Sequence, residues 1–133
     1  MELQVGVKIL LKNPEGKFLL TRRNPKKYPE VGPKWDIVGG RIDPGTPLLD
    51  NLRREVKEET GMDYTGDPTL VAAQDILRVP GRHVVRLTYI GDIEGDPQLS
   101  DESLEYKWFT REELVQNEDL DIYVKELLEK GTL

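Results

Sequence analysis

Apolar and polar residues alternate from the start of the chain. Leu3, Val5, Val7, Ile9 and Leu11 fall at every second position, with Gln4, Gly6 and Lys8 between them. A period of two lines one face of a pleated strand, so residues 3–11 are predicted to form one. The turn-forming run Asn13-Pro14-Glu15-Gly16 follows, and residues 17–21 return as a second strand, most simply in an antiparallel hairpin. Residues 22–34 break the pattern with three prolines and a surplus of basic side chains. They predict a long loop, and long loops in small domains tend to carry function. Trp35–Val38 then reads as a short apolar strand entering Gly39-Gly40.

The period changes after residue 46. Leu48, Leu52 and Val56 are spaced by four with Leu49 beside them, which predicts a helix over residues 47–59 with one apolar stripe. Thr46 is placed to cap it, Pro47 fits its first position, and Gly61 fits its C-terminal stop. Two more strands are predicted at 69–79 and 83–93, around Pro80-Gly81-Arg82, the second alternating at Val85, Leu87 and Tyr89. A polar loop over 94–102 leads to a short strand at 106–109. Thr110 and Glu113 have capping-box spacing, and residues 121–130 predict a closing helix with Ile122, Val124, Leu127 and Leu128 inward, stopped by Gly131. Strands, helix, strands, helix, without repeats or linkers, imply one α/β or α+β domain over residues 1–133 with a mixed sheet.

Composition narrows the chemistry. The chain has 133 residues with 25 acidic and 19 basic side chains, a net charge of −6. That balance argues against a protein held on duplex nucleic acid by excess Lys and Arg. No apolar run reaches transmembrane length, and the immediate alternating segment leaves no room for a signal peptide, so a cytoplasmic location is expected. Cysteine is absent and His83 is the single histidine. Thiolate catalysis and Cys/His metal sites are thereby excluded, which leaves carboxylates and hard divalent cations.

The acids are concentrated in the long helix. Its C-terminal part reads Arg53-Arg54-Glu55-Val56-Lys57-Glu58-Glu59-Thr60-Gly61. At 3.6 residues per turn, Glu55, Glu58 and Glu59 share one face, predicted opposite the Leu48/Leu52/Val56 stripe. Exposed like charges there repel by roughly 0.2–0.5 kcal/mol per pair, and the helix C-terminus disfavours anions further. A bound Mg²⁺ would reverse both terms. A plain solvated face, compensated by Arg54 and Lys57, is the alternative. Gly39-Gly40 just before this segment permits close backbone approach to a ligand, or a simple turn; neither a P-loop nor a dinucleotide fingerprint is present.

Taken as one pattern, the segment resembles the signature of the Nudix hydrolase family, G-x5-E-x7-R-E-U-x-E-E-x-G-U with U a bulky aliphatic residue. It runs from Gly40 through Arg54-Glu55-Val56-Lys57-Glu58-Glu59-Thr60-Gly61 to Met62 and departs at one defined position, where Thr46 replaces glutamate. Trp35–Gly40 resembles the family's strand into the signature, and Trp108–Leu114 its downstream strand-to-helix element. The common Pro-Gly-Gly appears as Val38-Gly39-Gly40. The resemblance implies an α/β/α sandwich with a mixed sheet. It also implies a metal-dependent hydrolase of nucleoside diphosphate-linked compounds using Mg²⁺, with Mn²⁺ as substitute. Glu55, Glu58, Glu59 and the Gly40 carbonyl are the implied metal ligands, and Arg54 orients Glu55. Glu55 or Glu102 is the implied base, with Glu105 as an alternative to Glu102. The loss of glutamate at position 46 is expected to weaken metal binding rather than abolish activity.

For substrate contacts, Arg22 and Arg23 are the phosphate candidates, and Trp35, Tyr28 and Phe18 could stack a base, although core packing serves Trp35 and Phe18 equally. Asp75, Arg78 and Arg86 lie on strands that could line a pocket, while His83 is expected to be structural. The small size favours a nucleoside triphosphate pyrophosphohydrolase releasing a monophosphate and pyrophosphate, on ordinary or oxidised nucleotides. ADP-ribose or nucleotide sugars, diadenosine polyphosphates, a capped RNA end, which the acidic charge disfavours, and a non-catalytic nucleotide-binding module are the alternatives. A monomer or homodimer with no membrane partner is expected.

Overall fold

A computed structural model describes residues 1–29 and 32–133; residues 30 and 31, inside the predicted loop, lie outside the described residues. Six strands run in chain order: β1 (Glu2–Lys12), β2 (Phe18–Arg23), β3 (Trp35–Arg41), β4 (Thr69–Ile76), β5 (Arg82–Asp92) and β6 (Ser103–Phe109). The helices are α1 (Leu48–Thr60) between β3 and β4, then α2 (Arg111–Gln116) and α3 (Ile122–Glu129) after β6.

The strands form one mixed sheet in the order β4-β5-β1-β3-β2-β6. The expected β1–β2 hairpin is a correction: the two strands meet only at Lys12↔Phe18, because β3 inserts between them. The reason lies in β1 itself. Val7, Ile9, Leu10 and Leu11 are all fully buried, so the strand is apolar on both faces and belongs in the middle of a sheet. It pairs parallel with β5 from Glu2↔Arg82 to Lys12↔Asp92, and antiparallel with β3 from Gly6↔Arg41 to Ile9↔Val38.

Two cores follow from that double-sided strand. Val7, Ile9 and Leu11 pack with Leu52 and Val56 of α1, whereas Leu10, Leu20 and Ile37 pack with Leu114 of α2 and Val124 and Leu128 of α3. The result is the implied sandwich of helix, sheet and helices.

Helix details differ from the periodicity. Leu48 is 37% exposed, since at the first position of α1 it precedes the turn that meets the sheet. In α3, Ile122 is exposed and Tyr123 takes the inward place, set by the Asp121 carboxylate that caps the Tyr123 and Val124 N–H groups. Arg22 and Arg23 extend β2 rather than opening a loop, while β4 ends at Ile76 rather than 79 and β6 starts at Ser103. The capping box at Thr110 is present: its hydroxyl accepts from the Glu113 N–H at 3.1 Å, and the Glu113 carboxylate accepts from the Thr110 N–H at 2.9 Å.

Thr46 does not cap α1. Pro47 occupies the cap position without a side-chain hydrogen bond, and Thr46 is exposed. The work falls to the fully buried Asn51, whose amide donates to the carbonyls of Thr46 (2.8 Å) and Pro47 (2.9 Å) and accepts from the Asp43 N–H (2.9 Å). One side chain inside the first turns thus fixes the loop from β3 into the helix. Gly61 ends α1 in the left-handed region (φ 71°), donating back to the Lys57 carbonyl as a C-terminal cap requires.

Candidate active site

The acidic end of α1 lies against the end of β3. Glu59 is turned inward and buried, not solvated, and the Gly39 N–H donates to its carboxylate at 2.8 Å. Glu55 is only 13% exposed and stands against Gly40, where a Cβ would fall 2.7 Å from its Oε2. At Gly39 (φ 144°) a Cβ would overlap the Val7 carbonyl oxygen. Both glycines are therefore required by close approach: Gly39 to the neighbouring strand, Gly40 to the carboxylate. Glu58, at 56% exposure, completes the set on the solvent side.

Arg54 ties this group to its loop. Its guanidinium pairs with Asp43 (2.8 Å), donates to Asn51 (3.1 Å) and Glu55 (3.3 Å), and reaches Glu58 at 4.0 Å. The orienting role implied by the sequence has the geometry to operate.

Burial pushes the Glu59 carboxyl up to about 8; the Lys8 ammonium and the Gly39 N–H oppose the rise, and Glu55 and Glu102 add to it. Glu55 is raised by the same desolvation and by Glu58, against Arg54. Carboxyls that burial and mutual repulsion hold above their usual range gain most from a cation.

Their fit to a metal can be judged from the donors. Among the described residues no three acidic or imidazole side chains converge tightly enough to enclose an ion by themselves. Hard oxygens from carboxylates, a backbone carbonyl, water and substrate phosphate are nonetheless what Mg²⁺ takes; it seldom sits in an all-protein cage. The donor set fits that mode.

Beside the carboxylates opens a cavity of about 330 Å³, bordered by Gly39, Gly40, Glu59 and Glu102. Glu102 is partly buried at its wall, beside Tyr28. Arg23 also lines it, stacked over the Tyr28 ring at 5.6 Å. Several of the other substrate candidates lie elsewhere. Arg22 pairs with Glu105 (3.3 Å) and sits over Trp35 (5.9 Å), and Trp35 packs edge-on against Phe109 in the core. Glu105 is thus engaged away from the cavity, as is Asp75, which pairs with His83 at 2.7 Å. Phe18 packs into the core, while Arg78 and Arg86 reach the cavity.

A buried ionic cluster beneath the cavity was not legible in the sequence. Asp36, 1% exposed, binds the guanidinium of Arg86 (2.9 Å), the ammonium of Lys8 (3.3 Å) and Arg23. Burial alone would raise the Asp36 carboxyl, but Arg86, Lys8 and Arg23 outweigh it and hold the group well below the usual carboxylate range. Lys8 is lowered by burial despite Asp36, and it donates to the carbonyls of Ile37 and Gly39 at 3.2 Å each. The same ammonium therefore links the ionic cluster to the backbone that holds Glu59.

Comparison with known proteins identifies the family and the fold. The family model for the NUDIX domain matches residues 2–130. A MutT protein from Methanosarcina mazei Go1 superposes with a TM-score of 0.86 at 29% identity, covering 97% of this chain and 92% of that one. An RNA pyrophosphohydrolase of Bartonella bacilliformis is 43% identical over 60 residues, 43% of this chain and 35% of the relative. Human 8-oxo-dGDP phosphatase NUDT18 is 29% identical over 85 residues, 60% of this chain and 25% of the relative. The chain thus spans about a third or less of these two curated relatives. With the acidic helix, the paired glycines and the sandwich in place over almost its whole length, the chain belongs to the NUDIX domain family.

Proposed function

We propose that the chain is a divalent-metal-dependent pyrophosphohydrolase of nucleoside diphosphate-linked compounds, with nucleoside triphosphates, ordinary or oxidised, as its best substrates. Cleavage would yield a nucleoside monophosphate and pyrophosphate. The observation that carries this reading is the acidic end of α1, with Glu59 against Gly39 and Glu55 against Gly40, beside a cavity of nucleotide scale that Glu59 borders.

Glu55, Glu58, Glu59 and the Gly40 carbonyl would hold Mg²⁺ or Mn²⁺. Bound there, such an ion neutralises the diphosphate and lowers the pKa of the attacking water. The protein's own part is positional. Arg54 keeps the Glu55 carboxylate turned to the site, and the Gly39 N–H fixes one oxygen of Glu59. Glu102 stands at the cavity wall with no hydrogen-bond or ionic partner for its carboxylate among the described residues, so it is the base we assign to the water proton. Glu55, held by Arg54, is less free to take that role. Tyr28 would stack a base, and Arg23, paired with Asp36 beneath the cavity, would hold the Tyr28 ring rather than take a phosphate.

The deciding experiment is a panel of ordinary and 8-oxo nucleoside triphosphates, ADP-ribose, nucleotide sugars and diadenosine polyphosphates. Each is incubated with Mg²⁺ or Mn²⁺ and its products are separated by chromatography. Selective release of monophosphate and pyrophosphate supports the reading. Nucleotide binding without product in either metal overturns it in favour of a binding module. Glu58→Gln is expected to reduce kcat by about two to three orders of magnitude with the melting temperature unchanged; near-normal turnover removes Glu58 from the metal set.

A further inference from the structure

The cavity's charge is opposite to that of the chain. Its lining among the described residues holds seven Lys and Arg against three acids, in a protein of net charge −6. Some of those cations are spent: Lys8, Arg23 and Arg86 converge on Asp36, and Arg86 also pairs with Asp121 at 3.4 Å. Two others are not. Arg78 and Arg82, where β4 and β5 join, have no carboxylate partner among the described residues. Arg78 lies over the Tyr123 ring at 5.2 Å, and the Arg82 Nε is buried with no hydrogen-bond acceptor. The Nε of the 2% exposed Arg86 is likewise buried without one.

Their position separates them from the metal-binding end. Gly40 pairs with Val7, which pairs with Leu87 on β5, and Arg82 lies five residues further along that strand. Two strand spacings and five strand residues put the Gly40 and Arg82 backbones on the order of 19 Å apart. Adjacent phosphorus atoms of a polyphosphate are only a few ångström apart. The arginine side chains reach back over part of that distance, and the separation that remains from the Gly40 end suits a linker of nucleoside size better than the spacing of adjacent phosphates.

We infer that Arg78 and Arg82 form a second phosphate subsite, which selects nucleotides bearing a further phosphate beyond the nucleoside next to the scissile diphosphate. This rests on the pyrophosphohydrolase reading for the location of the diphosphate. Two sources share the chemistry: a mononucleotide phosphorylated on its ribose, and the first internucleotide phosphate of a single-stranded oligonucleotide. Arg82 Nε gains the acceptor it lacks, and two guanidiniums meet one phosphate by charge-assisted hydrogen bonds.

The test is binding, which does not depend on turnover. Titration calorimetry compares AMP, adenosine 3′,5′-bisphosphate and the dinucleotide pApA, without metal and with Mg²⁺, on the wild-type chain and on R78A/R82A. The subsite predicts that one doubly phosphorylated ligand binds roughly ten- to a hundredfold tighter than AMP, and that R78A/R82A removes that advantage while leaving AMP affinity unchanged. Preference for the bisphosphate identifies a mononucleotide, and preference for pApA an oligonucleotide end. Equal affinity for all three ligands overturns the subsite, as does an advantage that survives in R78A/R82A. A preserved binding preference in a protein that hydrolyses nothing would overturn the pyrophosphohydrolase reading alone.

Discussion

Asp36 shows how much one side chain here depends on its surroundings. It is buried among Lys8, Arg23 and Arg86, and removing its charge would leave three cations packed without their counter-ion. Breaking one member of such a group costs about 3–5 kcal/mol, so Asp36→Asn is expected to lower the urea midpoint by that equivalent. The pH dependence has a definite sign. A carboxyl held lower in the folded than in the unfolded state stabilises the fold above its unfolded pKa, near 4, and loses that contribution as pH falls further. Wild-type stability should therefore drop steeply below about pH 4, and Asp36→Asn should flatten that slope. An equal slope in both proteins would mean that other carboxyls govern acid unfolding. None of this was readable in the sequence, because Asp36 and Arg86 are 50 residues apart and meet only through the strand order.

At the scale of elements, what the sequence revealed and what it hid divide along local and non-local lines. The strand β1, the Leu52/Val56 part of the α1 stripe, the Gly61 stop and the Thr110 capping box all stand in the structure, since each depends on residues a few positions apart. The insertion of β3 between β1 and β2 does not, because strand order is a tertiary choice. The loop into α1 combines both cases. Thr46 had the right chemistry for a cap but is exposed, and Asn51 ties the loop from within instead. Asn51→Ala would leave the Asp43 N–H and the Thr46 and Pro47 carbonyls without that partner. It is expected to cost about 1–3 kcal/mol and to reduce kcat by freeing Arg54, which also donates to Asn51. Thr46→Glu should change stability by less than about 0.5 kcal/mol while lowering the Mg²⁺ concentration for half-maximal activity. An unchanged metal requirement would show that position 46 is neutral in this chain.

At the scale of the whole molecule, an acidic chain can be reconciled with the polyanionic substrate proposed for it. Acidity is gathered partly at one helix end, where Glu59 is held near 8 and Glu55 is raised, while cations line the adjoining cavity. Folding without a cation at this end thus carries an unfavourable electrostatic term that the proposed metal would remove. A ligand that binds only the native state stabilises it by about 2.7 kcal/mol at a concentration of 100 times its Kd. In a chain of 133 residues that corresponds to a rise in Tm on the order of 10 °C. Saturating Mg²⁺ or Mn²⁺ should therefore raise the melting temperature measured by calorimetry, and a chelator should return it to the metal-free value. Glu59→Gln separates this from non-specific ionic effects. The variant removes the cost of burying this carboxyl, which the wild type meets by taking up a proton, so its metal-free form should melt at or above the wild-type value, yet it should gain little from added metal. If wild type and Glu59→Gln respond to Mg²⁺ equally, the ion binds elsewhere and the acidic end of α1 is not its site.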